Sequence, residues 1–156
     1  LVLRDLDVLA GDNAQIGVTV TTLDQRLADL WEPGASSVEQ RFGVIAEARR
    51  AGLTTAIMFG PLLPGLSDDQ KSLDAMFRRA ADAAIDLIWT DALNPRPKVW
   101  PAVASLLREQ FPHLLDSYRR ILFDRHARET YLGELRERVI LAADRWKVRE
   151  RLSVCQ

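Results

Sequence analysis

Three β-branched runs, starting near residues 16, 54 and 86, alternate with stretches whose apolar residues recur three and four apart. This alternation constrains the fold more than any other feature. Strand–helix–strand connections of such length force parallel strands joined by right-handed crossovers. Ile16-Gly17-Val18-Thr19-Val20-Thr21-Thr22 reads as the first strand, Leu53 to Phe59 as the second, and Asp86-Leu87-Ile88-Trp89-Thr90-Asp91 as the third. Parallel strands require cover on both faces and company at both edges. Three alone make a poor sheet, so further strands are expected upstream. The chain opens on Leu1 rather than Met, which fits a fragment or a processed product.

The remaining pattern is helical. Leu1 to Leu9 reads as a short helix stopped by Gly11-Asp12-Asn13, and Leu23 to Trp31 as another short helical turn before the Glu32-Pro33-Gly34-Ala35 loop. Ser36-Ser37-Val38-Glu39 has the form of a capping box, with Glu39 three residues after Ser36. The helix it opens buries Val38, Phe42 and Ile45, carries Arg49-Arg50 in its last turn, and has Gly52 just beyond. Asp68 or Asp69 caps a further helix, whose apolar positions are Leu73, Met76, Phe77, Ala80, Ala81 and Ala84. After Asn94-Pro95-Arg96-Pro97 the chain reads as wholly helical. Trp100, Val103, Leu107 and Phe111 share one face, Leu115, Tyr118 and Leu122 another, and Tyr131, Leu135, Val139, Ala142 and Trp146 form a long stripe. Residues 1–96 are therefore expected to form the strand–helix part, and 97–156 a helical extension packed upon it.

Composition removes several function classes. No apolar run approaches the roughly 20 residues that span a bilayer, so no membrane association is expected. Cys155 is the only cysteine. It cannot form an internal disulfide, nor build a zinc or iron–sulfur site alone, and a reducing, cytoplasmic setting is expected. His113 and His126 lack carboxylate or cysteine companions at ligand spacing, so no metal ligand is assigned. No Ser-His-Asp order or nucleophile elbow is present, and no residue is assigned a catalytic role. Residues 1–94 hold 8 Lys+Arg and 14 Asp+Glu, net −6, whereas residues 95–156 hold 13 and 8, net +5. The basic end suits a polyanion such as nucleic acid or, more simply, an acidic neighbouring surface.

Candidate binding groups fall at the carboxyl ends of the strands, where ligands bind in α/β folds. Thr19 and Thr21 share one strand face and carry hydroxyls that both donate and accept. The loop Gly60 to Asp69 lets backbone approach a flat or anionic ligand. It lacks the Gly-Lys-Ser/Thr of a phosphate loop and the glycine spacing of a dinucleotide fold. Asn94 and Arg96 follow the third strand, and Arg96 offers a fork for a phosphate or carboxylate.

Taken in order, Leu1 to Leu9, Val18-Thr19-Val20-Thr21-Thr22-Leu23-Asp24, Glu32-Pro33-Gly34-Ala35, Gly60-Pro61-Leu62-Leu63-Pro64-Gly65-Leu66-Ser67-Asp68 and Asn94-Pro95-Arg96-Pro97-Lys98-Val99-Trp100 resemble the spore photoproduct lyase-like branch of the radical SAM superfamily. The resemblance covers nearly the whole chain. It implies an α/β fold: the second half of a partial (β/α)6 TIM-like barrel, with strands four, five and six present as three parallel strands, followed by an all-helical C-terminal region. Members use S-adenosylmethionine and a [4Fe–4S] cluster to make a 5′-deoxyadenosyl radical that abstracts hydrogen from a substrate, with DNA as a candidate here. By the resemblance, Thr19, with Thr21 nearby, would hold the methionine or ribose part of the cofactor. Leu63, Gly65 and Asp68 match the Ile, second Gly and Glu of the family's Gly-x-Ile-x-Gly-x-x-Glu motif, which packs on adenine, while Pro61 stands where its first Gly would be. Asn94 and Arg96 would face the substrate.

The family's Cys-x-x-x-Cys-x-x-Cys motif is not in this sequence. The chain is therefore expected to be the C-terminal part of a parent enzyme, inactive without its N-terminal half. Two other readings stand beside this one. One is a stand-alone, non-catalytic α/β binding or interaction domain, and the other is the tail of some other (β/α) barrel enzyme.

Overall fold

A computed structural model describes residues 4, 6–9, 14–96 and 98–154. Its elements run α1 (Leu6–Leu9), β1 (Gln15–Val20), α2 (Gln25–Trp31), α3 (Val38–Arg50), β2 (Thr54–Leu62), α4 (Gln70–Asp82), β3 (Leu87–Ala92), α5 (Trp100–Gln110), α6 (Leu115–Phe123), α7 (Arg125–Arg145) and β4 (Leu152–Val154). The stop signal at Gly11-Asp12-Asn13, Pro97 and Cys155 lie outside the described residues.

The three expected strands form, and they are parallel, in the order β1-β2-β3-β4. Two bounds differ: β1 ends at Val20, before Thr21 and Thr22, and β2 continues through Gly60 and Pro61 to Leu62, residues expected to open the loop. The fourth corrects the expectation of a wholly helical C-terminal region. β4 has three residues, too few to show a period-2 pattern, and pairing with β3 at Ile88↔Leu152, Trp89↔Ser153 and Thr90↔Val154 specifies it. Strand order follows chain order, so every crossover advances the same way across the sheet. Right-handed crossovers then place all connecting helices on one face. A doubly wound sheet reverses direction at a switch point and covers both faces.

The register shows which face is which. Val18, Ile57, Ile88 and Leu152 align across the four strands, as do Val20, Phe59 and Thr90. This face meets Phe42 and Ile45 of α3, Leu73, Met76 and Phe77 of α4, and Tyr131, Leu135 and Val139 of α7 in one buried cluster. Phe59 and Phe77 contribute a tilted ring pair with centroids 5.5 Å apart. The stripe predicted on α7 is thus core, not a separate surface. A second cluster joins Leu93 to Val103 and Leu107 of α5 and to Tyr118 and Leu122 of α6. A third closes the amino end of the sheet with Ile16, Ala48 and Leu53.

Local signals place the helices. Asp24 caps α2, accepting from the Arg26 N–H at 2.9 Å, and Asp69 caps α4, accepting from the Ser72 N–H at 3.0 Å. The capping box of α3 lies one residue later than expected. Ser37 caps, and Gln40 rather than Glu39 reaches back to it. Glu39 extends instead to Arg79 of α4, at 2.6 Å. At the amino end of the sheet, the Asp86 carboxylate accepts from both the N–H and the hydroxyl of Thr55 at 2.8 Å, tying β2 to the start of β3.

Candidate functional site

The face of the sheet opposite the helices carries Gln15, Gly17 and Thr19 on β1, Ala56 and Met58 on β2, and Leu87 and Trp89 on β3, with Ser153 of β4 beside Trp89. Gln15, Gly17, Thr19 and Ser153 are exposed, and Met58, Leu87 and Trp89 half-buried. None of the last three belongs to a buried cluster among the described residues. This face mixes small and polar residues with partly exposed apolar ones, where the other is apolar and buried.

At its carboxyl end three strand ends converge. The Thr21 hydroxyl donates to the Gly60 carbonyl at 3.1 Å, with Glu32 Oε2 at 3.3 Å. Gly60 in turn lies against β3: a Cβ there would meet the Asp91 Cβ and carbonyl oxygen at 3.1 Å, so the close approach requires glycine. Asn94 donates to the Asp91 carboxylate at 3.3–3.4 Å. The ends of β1, β2 and β3 are therefore joined in the series Thr21, Gly60, Asp91 and Asn94. The peptide bond between Gly60 and Pro61 is cis.

The predicted residues divide into two groups. Thr19 lies exposed on the open face, and its carbonyl accepts from Arg41 Nη1 at 2.6 Å. Arg96 is exposed and its guanidinium makes no ion pair or hydrogen bond among the described residues. Asn94 is exposed just after β3. Thr21 is fully buried with its hydroxyl committed internally. Leu63 and Asp68 are turned inward. The Leu63 N–H donates to Ser67 Oγ at 3.0 Å, and its carbonyl accepts from Leu66 and Ser67. Asp68 accepts the Gly65 N–H at 2.7 Å and faces Arg138 of α7. Gly65 has φ +70, a left-handed conformation that a side chain resists. The loop after β2 is thus a closed turn whose backbone is largely satisfied, and the exposed Gly65 borders a groove it shares with Leu114, Tyr131 and Arg138.

Tyr131 and Tyr118 stand near Asp68. Their hydroxyls are buried without closing a hydrogen bond. Burial pushes both phenols well above their ordinary pKa, and the negative charge of Asp68 adds to the shift.

Sequence reading missed Asp91, Met58 and Trp89 as open-face residues. The period-2 geometry of a strand puts them there, but Ala56 to Phe59 is apolar throughout, so no alternation in the sequence marks which residues face away from the helices. It also missed the ion pair of Arg41 with Glu32, 3.0 Å long, which closes the rim of β1. Beyond β1 a groove of about 1080 Å³ runs between the strand and α3, lined by Ile16, Gly17, Val18, Arg41, Gly43 and Val44 among others.

Among the described residues, no three His, Cys, Asp or Glu side chains gather as a metal-binding group. No helix among them is long and apolar enough to cross a membrane. No family model matches the chain, and no solved structure matches it. It is 28% identical over 115 residues to an uncharacterized protein of Acidianus two-tailed virus, covering 70% of this chain and 38% of that protein. It is 30% identical over 145 residues to an uncharacterized protein of Mycobacterium tuberculosis, covering 81% of this chain and 43% of the relative. A Mycobacterium bovis protein matches to the same extent. The chain spans about two fifths of the length of these curated relatives.

Proposed function

We propose that this chain is the C-terminal part of a radical SAM enzyme resembling spore photoproduct lyase, supplying half of a (β/α)6 barrel to a cofactor pocket completed by residues outside this sequence. The observation that carries the reading is the one-sided sheet. Among the described residues, four parallel strands in chain order, helices packed on one face and a contact between β1 and β2 at Gly60, near their carboxyl ends, are what a barrel wall requires. The open face would be the barrel interior. The groove beside β1, with its small residues Gly17 and Gly43, would receive the neighbouring strand–helix unit. The greater length of the relatives agrees with a larger parent.

The residues present suit only part of the chemistry. Three thiolates that could hold a [4Fe–4S] cluster are not in this sequence, and the chain alone is proposed to be inactive. In a parent that supplied them, the cluster and S-adenosylmethionine would provide a radical for hydrogen abstraction. The Thr19 hydroxyl, exposed on the open face, would hydrogen-bond the methionine or ribose part of the cofactor. Gly65 would bring the β2–α4 turn close to adenine, with Asp68 fixing the turn from behind and Leu63 filling its inner side. Arg96, whose guanidinium has no partner among the described residues, and Asn94 would meet a substrate at the rim, for which DNA is the candidate.

Equilibrium dialysis with labelled S-adenosylmethionine tests the pocket. Half a pocket should bind weakly, with Kd on the order of millimolar, and Thr19→Val should weaken binding about tenfold, the worth of one hydrogen bond. No binding at these concentrations, or binding indifferent to Thr19→Val, would contradict the reading and favour a non-catalytic binding domain.

A further inference from the structure

Two arginines of α7 each reach the loop that follows a different strand. Arg128 donates from Nη1 to the Leu93 carbonyl at 3.0 Å, and from Nη2 to Asn94 Oδ1 at 3.3 Å. Arg138 donates from Nε to the Asp68 carbonyl at 3.0 Å, and its Nη2 lies 3.4 Å from Asp68 Oδ2. Gln70 returns a contact from the start of α4 to the Arg138 carbonyl, at 3.4 Å. Ten helical residues span about 15 Å. That length lets one helix serve the ends of both β2 and β3.

Both arginines donate to backbone carbonyls of residues that are themselves buried, Leu93 and Asp68. Carbonyls of buried residues need partners. The Arg138 contact is also relayed, because Asp68 holds the Gly65 N–H through its other carboxylate oxygen. Arg138, Asp68 and Gly65 therefore form a chain from α7 to the outermost point of the β2–α4 turn. Arg128, Asn94 and Asp91 form the matching chain to the end of β3. α7 itself is fixed by Tyr131, Leu135 and Val139 in the main core.

The geometry points to α7 as a brace for the mouth of the sheet, with Arg138 and Arg128 as positioning residues that hold the loops after β2 and β3. The brace deepens the proposed function and takes from it only the assignment of these loops to the site. A guanidinium suits the task because its planar fork engages two acceptors at once, which an ammonium on a flexible stem does not.

Hydrogen exchange read by mass spectrometry on the whole chain tests the brace. Arg138→Ala should speed exchange about tenfold at the amides of 63–68 while leaving 54–59 of β2 unchanged, since local opening need not involve the core. Arg128→Ala should act on 93–96 and spare 63–68. Arg138→Lys, which keeps charge and stem, should recover part of the protection. Exchange unchanged in both loops, or raised equally in loops and strands, would overturn the proposal. Affinity for S-adenosylmethionine, measured on the same variants, separates the two ideas. Loop-selective loosening in a chain that does not bind the nucleoside leaves the brace standing and removes the cofactor reading, whereas binding without loosening does the reverse.

Discussion

Each of the chain's two methionines serves a different side of the same sheet. Met76 of α4 is buried in the cluster beneath the helices, among Ile57, Phe59 and Phe77. Met58 of β2, one residue from each of the first two, points the other way and stays half-buried beside Thr19 and Trp89. A self-sufficient parallel sheet covers both faces. Here the helical side is finished, and the other presents small, polar and isolated apolar residues. Apolar burial is thus concentrated on one side of the sheet, so that the effects of substitutions on stability should separate by strand parity.

The largest separation is expected between neighbours on β2. Phe59→Ala should cost about 3–5 kcal/mol by removing a fully buried ring, whereas Met58→Ala should cost less than about 1 kcal/mol. Equal shifts in denaturant midpoint would erase the distinction between faces. Glycines give the next contrast. Gly60→Ala forces a methyl against Asp91 and should cost about 1–3 kcal/mol. Gly43→Ala, in open space on α3, should gain about 1 kcal/mol from helix propensity. A loss at Gly43 in the isolated chain would mean that the groove beside β1 is already filled.

Smaller effects come from titrating groups. Burial raises the Asp86 carboxyl, but the two hydrogen bonds from Thr55, with Arg49, outweigh it and hold the pKa below the usual value. A lowered folded pKa stabilises the chain above pH 3.8 and is lost as pH falls through it. Acid titrations should therefore show wild type losing stability below that pH, while Asp86→Asn starts lower and is flatter. Tyr118 gives the smallest effect and the opposite sign. Its hydroxyl is buried and unpartnered, so Tyr118→Phe should raise stability by up to about 1 kcal/mol near neutral pH. Its raised pKa costs wild type stability as pH climbs past 10, a loss the variant should lack.

The strands were legible because Ile16 to Val20, Thr54 to Phe59 and Leu87 to Thr90 are β-branched or apolar between turn signals, and a parallel arrangement follows from the helical stretches between them. β4 was not legible, because three residues acquire strand structure only from Trp89 and its neighbours. The capping box shifted by one because Ser36 and Ser37 are equivalent in pattern: Glu39 stands three residues after the first and Gln40 three after the second, and either side chain can reach back to its serine. Sequence placed Thr19 on the first strand and Asn94 and Arg96 after the third, and the chain runs that way. It could not reveal that the Thr21 hydroxyl is held by Gly60, 39 residues away, or that Asp68 turns towards Arg138, 70 residues away. Such pairings depend on how distant segments meet, which no local pattern records.

Peroxide oxidation followed by mass spectrometry reads both faces in one tube. The half-barrel reading predicts that Met58 oxidises at least about tenfold faster than Met76, as exposure differs between them, and that millimolar S-adenosylmethionine slows Met58 alone. Met58 as protected as Met76, or a Met58 rate indifferent to the nucleoside, would contradict it.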